Sequence, residues 1–238
     1  SAEIYCSVLQ TTDGGSSWSI QNGFKKSLYS NYFTNTYTGY AVGDSGKILK
    51  TTDGGNNWLQ QISPTRNLLK SVYFVNENIG YSVGDNSTIL KTTDAGLTWT
   101  AQSSPFTFAY YTSVDFIDEN NGYISSGQGL LRTTNGGTEW NVMNAPDGGY
   151  YKIQFRNNFG YAVSSDGKIV KTTDAGNSWI EQPTVTDNGL YALYFNTDNY
   201  VYAGGLLGSI VKTIPTELII TGTGNNFTEI PKAFSLSQ

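Results

Sequence analysis

The sequence predicts an all-β chain folded as a β-propeller with four-stranded blades of about 40 residues. Three observations predict it. A Thr-Thr-Asp/Asn box recurs with its first Thr at positions 11, 51, 92, 133, 172 and, decayed, 213. Trp18, Trp58, Trp99, Trp140 and Trp179, the chain's five tryptophans, share one box position, and Ile220 takes the sixth. Between boxes lie short apolar runs rich in Val, Ile, Tyr and Phe, bounded by Gly, Asn and Asp, with no sustained helical period. A repeat of this length holding four such runs is the pattern of a propeller blade.

The third repeat shows the elements in order. Strand 1 reads "KSVYFV", strand 2 "GYSVG", strand 3 "TILKT" and strand 4 "TWTAQ". "NEN" joins the first pair, "DNS" the second and the box "TDAGL" the third. Phe33, Phe74, Phe116, Phe155 and Phe195 form one column in strand 1. Gly39-Tyr40, Gly80-Tyr81, Gly122-Tyr123 and Gly160-Tyr161 form another in strand 2, decaying to Val201-Tyr202. Ile48-Leu49, Ile89-Leu90, Leu130-Leu131 and Ile169-Val170 fill strand 3, with Val8-Leu9 and Ile210-Val211 in the outer repeats. Strands this short bury a core only by stacking sheet on sheet through these columns.

The first repeat supplies only strands 3 and 4, and repeats two to five supply four each. The last supplies three plus a degenerate fourth, "ELIITG", which leaves the chain two strands short of six full blades. Six blade positions are expected, with five or seven as alternatives. The missing pair is strands 1 and 2 of the first blade. An earlier stretch of chain, the tail, or a second copy exchanging strands could supply it. Residues 1–221 read as the propeller and 222–238 as an extended tail.

Within the box, Asp13, Asp53, Asp94 and Asp174 open a tight turn in which the carboxylate accepts backbone N–H groups two or three residues on. Gly55, Gly96, Gly137 and Gly176 stand where positive φ is expected. The Trp then covers the turn and plugs the gap between blades. Asn135 replaces Asp in the fourth box, which argues for a turn staple and against a metal loop. The longer acidic series of a calcium loop and the Gly-Lys-Ser/Thr of a phosphate loop are lacking.

Composition narrows function. With 14 Lys+Arg against 19 Asp+Glu and arginine only at 66, 132 and 156, there is no basic stripe for nucleic acid or an anionic membrane. No run approaches the roughly 18 apolar residues of a membrane helix, so membrane insertion is not expected. Histidine is absent, which removes Ser-His-Asp and Cys-His catalysis and most zinc sites. No metal or other cofactor is expected. Cys6 stands alone, so no intrachain disulfide forms; it reads as a small buried residue or a candidate for intermolecular pairing.

"TTDGGNNW" resembles the Asp-box, or BNR, repeat of sialidases and related propellers. The longer "GYAVGDSGKILKTTDGGNNW" is closer to the propellers similar to the photosystem II stability and assembly factor, and the match runs over about residues 5–221. The sialidase resemblance would imply three arginines on a sugar carboxylate, a Tyr nucleophile paired with Glu and an Asp acid/base. Here Arg132 precedes a box, Arg156 ends a strand, Arg66 lies in a loop, and the Arg-Ile-Pro-type motif is absent. The photosystem resemblance implies an arginine-rich face, which three scattered arginines do not provide. The tail "EIPKAFSLSQ" resembles the junction before a type IX secretion sorting domain, which implies a bacterial protein secreted or held at the cell surface. Asn86 and Asn226 begin chance glycosylation-like sequons.

The resulting expectation is a non-enzymatic secreted module of structural or interaction role. Carbohydrate binding or sialidase-like hydrolysis is one alternative, and a self-assembling extracellular filament subunit is the other. Variable loops joining strand 4 to the next strand 1 lie opposite the boxes, where a site on a repeat scaffold is expected. Arg66, Phe106, Phe108, Tyr110, Tyr111, Tyr150 and Tyr151 are the candidate residues there, suited to a protein or a glycan. The competing reading is that half of them begin strand 1 and pack between blades.

Overall fold

Each short apolar run pairs with its sequence neighbour, because the two- to eight-residue connections within a sheet leave no room for any other partner. The computed structural model describes residues 5–183, 186–196 and 200–213. Sheet one is the antiparallel pair β1 (Tyr5–Gln10) and β2 (Ser19–Lys25). Sheet two follows as β3 (Leu28–Phe33), β4 (Gly39–Gly43), β5 (Ile48–Thr51) and β6 (Leu59–Gln60), paired in chain order. Sheet three repeats this with β7 (Leu69–Phe74), β8 (Gly80–Gly84), β9 (Ile89–Thr92) and β10 (Thr100–Ala101). Sheet four is β11 (Tyr111–Phe116), β12 (Gly122–Ser126), β13 (Gly129–Thr133) and β14 (Asn141–Val142). Sheet five is β15 (Tyr150–Arg156), β16 (Phe159–Ser164), β17 (Ile169–Thr172) and β18 (Ile180–Glu181). Sheet six shows β19 (Leu190–Phe195), β20 (Val201–Gly205) and β21 (Ile210–Lys212).

This is the all-β blade pattern the repeat predicts. The fourth strands of sheets two to five are only two residues long, shorter than the pattern suggests, since among the described residues their outer edge meets no further strand. The degenerate strand "ELIITG", the tail 222–238 and Asn226 lie outside the described residues, as does the side chain of Cys6. The chain divides into two compact units. The first is Ser1–Ile124 with Arg132–Asn141, and the second is Ser125–Leu131 with Val142–Gln238.

In the first unit the core is the layer between sheets two and three, where Tyr40, Val42 and Ile48 meet Leu69, Val72, Phe74, Leu90 and Trp99. The second unit has the matching layer of Tyr161, Val163 and Ile169 with Leu190, Leu193, Phe195 and Val201. The Gly before each Tyr has a steric reason. The Phe ring of strand 1 lies flat over it, and a Cβ would come within 2.6 Å of Phe33 at Gly39 and of Phe74 at Gly80. In sheet six Val201 occupies that seat. There Tyr161 meets Phe195 at 5.9 Å and 67°, whereas the Tyr40–Phe74 and Tyr81–Phe116 rings stack at 3.9 and 4.1 Å.

Strand 1 begins with a register shift between Leu28 and Ser30, Leu69 and Ser71, Tyr150 and Lys152, and Leu190 and Ala192. Such a bulge turns the intervening residue away from the pleat. Opposite it, Gly43, Gly84 and Gly205 let a strand-1 carbonyl approach where a Cβ would collide.

Candidate functional site

The boxes were the first candidates, and their geometry makes them turns. Thr51 and Thr92 each accept the N–H of the box Gly (Gly55 and Gly96) on Oγ1 at 2.9 Å and donate to the Asp Oδ1 at 2.8 Å. The Asp Oδ1 accepts the N–H four residues on, from Ser17, Asn57, Thr98 and Ser178 at 2.9 Å. Its Oδ2 takes a donor from the side chain of that same residue, at 2.6 or 2.7 Å. The sequence placed the Asp bonds two or three residues on. The Thr hydroxyl fills the near position instead, and two successive positive-φ residues, Ala95 (57°) and Gly96 (79°) in the third box, carry the chain round to the carboxylate. These donors, the i+4 side chain first, hold Asp13 and Asp174 down at about 2 and Asp53 and Asp94 below the usual carboxylate value. With both oxygens committed to the turn, the box carboxylates are staples.

The half-buried Trp58 and the buried Trp99 and Trp140 pack edge-on against the Phe of their own sheets, Phe33, Phe74 and Phe116, at 6.0 Å, and Trp179 does so on Phe155 at 5.8 Å. The contact that joins sheets two and three is instead Tyr on Phe, with a latch at its rim. Tyr40 Oη and Lys50 Nζ both donate to the Ala95 carbonyl at 2.7 Å. Tyr81 and Lys91 do the same to Gly136 at 2.7 Å. Burial, aided by the Asp94 charge for Tyr40 and the Glu119 charge for Tyr81, pushes both phenols up to about 12, so each stays a donor. The lysine before the second and third boxes is therefore a latch.

The loop-face candidates divide. In the first unit Phe108 and Tyr110 are exposed, with Lys70 Nζ 5.4 Å from the Tyr110 ring centroid, and Arg66 is exposed on its loop. Phe106 is half-buried, and Tyr111 is fully buried, its Oη 2.5 Å from Ser104 Oγ. In the second unit Tyr150 is buried and donates to the Pro146 carbonyl at 2.5 Å. Tyr151, thrown out by the bulge, is exposed and meets Tyr191 edge-on at 4.5 Å. Tyr111 and Tyr150 are thus strand-1 core residues, as the competing reading held.

A better-formed concavity lies at sheet one. A groove of about 680 Å³ runs between the outer edge of β1, unpaired among the described residues, and the face of β3, floored by Leu9, Gln10, Trp18, Phe33, Gly54 and Trp58. Every described residue lining it is uncharged. Its size is that of a ligand site. The strand count expected for six blades points to this sheet, but the column pattern does not single out the lining residues.

Two overlapping matches, over residues 16–100 and 57–147, fit the family model "Photosynthesis system II assembly factor YCF48", and together they span more than half of the chain. The chain belongs to this family. A sequence search of the curated proteins finds no match. Among solved structures, "YCF48 bound to D1 peptide" superposes with a TM-score of 0.66 at 20% identity over 80% of this chain and 65% of that one. YCF48 from Cyanidioschyzon merolae gives 0.64 at 18% identity over 80% and 67%. An ancestral GH74 enzyme gives 0.74 at 16% identity over 86% of this chain and 33% of its own. The chain thus spans about two thirds of the two YCF48 structures. At these identities the likeness is one of fold, the propeller. The YCF48 family is described by assembly rather than by catalysis, which is the coarse function the sequence led to: an interaction module.

Proposed function

We propose that this chain is a non-enzymatic module that binds an extended segment of a partner protein in the groove beside β1. The observation that carries the reading is the uncharged 680 Å³ groove running along a strand edge that is unpaired among the described residues. An open edge offers main-chain donors and acceptors that a polypeptide matches and a sugar does not. The solved YCF48 structure described as bound to D1 peptide supports polypeptide as the ligand class. Probing a tiled peptide array and a glycan array with the same labelled chain tests it. Saturable retention on peptides is expected; retention on glycans alone, or turnover of a polysaccharide, overturns the proposal.

The resemblance of "EIPKAFSLSQ" to a type IX sorting junction supports a place outside the cytoplasm. Fractionation of the producing cells with an antibody to the chain checks this, and recovery in the cytosol alone overturns it.

A further inference from the structure

Sheets two and three show what the columns of sheet one are shaped to receive. In the complete interface, Tyr40 of a strand 2 lies on the Phe74 ring, touches the α-carbon of Gly96 and donates to Ala95. Each part of that seat recurs one sheet earlier. The Phe33 ring lies flat over Gly39 with Trp58 at its edge, as Phe74 lies over Gly80 beside Trp99. Gly55 corresponds to Gly96, but the three atoms nearest to a Cβ placed on it belong to Trp58 and Phe33, at 3.7 and 3.8 Å, where Gly96 meets Tyr40 at 2.8 Å. The Gly54 carbonyl corresponds to Ala95; it accepts Gln10 Nε2 at 2.8 Å, the latch bond, and Gly54 lines the groove. The Phe33 ring is 43% exposed, against 1% for Phe74.

The backbone alongside matches. In sheets two, three and five the first aliphatic carbonyl of strand 3 (Ile48, Ile89, Ile169) accepts an N–H from strand 4, at 2.8 Å in each. Strand alternation therefore turns the next residue, Leu49, Leu90 or Val170, toward strand 2. Leu9 holds that place in β1, whose ladder, among the described residues, runs to β2 alone. We propose that β1 and the Phe33–Gly55 seat receive a β-strand of a partner protein whose tyrosine, preceded by glycine, stacks on Phe33 and donates to the Gly54 carbonyl. The glycine follows from the occupant's own inner strand, whose aromatic would lie over it as in the other sheets. The absence of charge in the lining selects an uncharged strand.

This rests on the polypeptide-binding proposal and adds the edge, the register and the tyrosine. The probe is a synthetic peptide copying residues 69–84, the molecule's own strand 1–strand 2 hairpin, in native form and with Tyr81→Ala. Fluorescence anisotropy and amide exchange of the chain at Leu9 are the readouts. Saturable one-to-one binding with new protection at the Leu9 amide is expected. The Tyr81→Ala peptide should bind about tenfold more weakly, since it loses a stacked ring and a hydrogen bond. Leu9→Pro, which removes an edge N–H without touching the β2 ladder, and Phe33→Ala, which removes the seat, should each weaken binding similarly; near-UV circular dichroism confirms their folds. A Leu9 amide already protected in the peptide-free chain, by a second copy or by the chain itself, overturns the inference. So does hairpin binding indifferent to all three substitutions. A peptide that binds with Leu9 exchange unchanged overturns the strand-edge inference and leaves the polypeptide reading standing, whereas no polypeptide binding at all removes both.

Discussion

The layer between sheets two and three and the layer between sheets one and two are built from the same columns, yet only the first is a core. Phe74 is 1% exposed and its counterpart Phe33 is 43%; Trp99 is buried and its counterpart Trp58 is half-buried. The residues are alike, so the difference comes from the neighbour: a Tyr-bearing strand 2 covers one layer, and among the described residues none covers the other. A repeat protein is stabilised largely by nearest-neighbour interfaces. The layer between sheets one and two is therefore the cheap one to perturb and the one free to bind.

The sharpest way to break the comparison is to cut the same ring from both layers. Phe74→Ala removes a ring enclosed by Tyr40 above and Trp99 at its edge, at an expected cost of about 3–5 kcal/mol, the range for buried Phe truncation. Phe33→Ala removes a ring already wetted on one face and should cost about 1–2 kcal/mol, because much of its area is never taken from water. Urea unfolding of the two variants measures the gap, and equal midpoints would mean that the layer between sheets one and two is covered in solution.

A smaller effect is expected inside the boxes. Thr92→Val leaves the buried Gly96 N–H without its acceptor and should destabilise by about 2 kcal/mol. Thr11→Val makes the same change in an exposed box, where water replaces the lost hydroxyl, and should cost about 0.5 kcal/mol or less. Smaller again is Tyr40→Phe, about 1 kcal/mol, since Lys50 continues to occupy the Ala95 carbonyl. If Tyr40→Phe matched Phe74→Ala, the latch rather than the stack would hold the layer. All are read as shifts in unfolding midpoint at constant slope.

Much of this was legible in the sequence because blade columns are local. The period, the strand order and the box as a turn all follow from spacing along the chain. What escaped was set by ring packing, by strand register and by contacts 40 or more residues away. Nothing in "GYAVG" says that its Gly lies under a Phe ring, or that Lys50 reaches the carbonyl of Ala95. The paired tyrosines Tyr150-Tyr151 show the limit most plainly. Strand alternation sends one in and one out, but the bulge that decides which is which depends on the register against β16. The groove was implied by the strand count, yet its preformed Phe33 seat emerges only beside the finished interface one sheet on.

The smallest effect concerns acid, and it turns on the fourth box. In four boxes the residue four after the Asp is Ser, Asn or Thr, whose side chain donates to Oδ2. In the fourth it is Glu139, which as a carboxylate has no proton to donate; Asn135 keeps the backbone bond from Glu139 at 3.0 Å without placing a second carboxylate beside it. The two departures in "TTNGGTEW" are thus one change. A carboxylate whose folded value is depressed stabilises above its unfolded value of 3.8 and loses that contribution as pH falls through the folded value, about 2 for Asp13 and Asp174. Protection of the Ser17 and Ser178 amides should therefore fall between about pH 4 and pH 2, while that of Glu139 holds steady. Asn135→Asp should make the Glu139 amide acid-sensitive too, with a shallower depression because two like charges then share the turn. Adding Glu139→Ser should restore the full depression. Hydrogen exchange across that pH range reads all of these, and a Glu139 amide that loosens in step with the others would show that the carboxylates are bystanders to a general acid expansion.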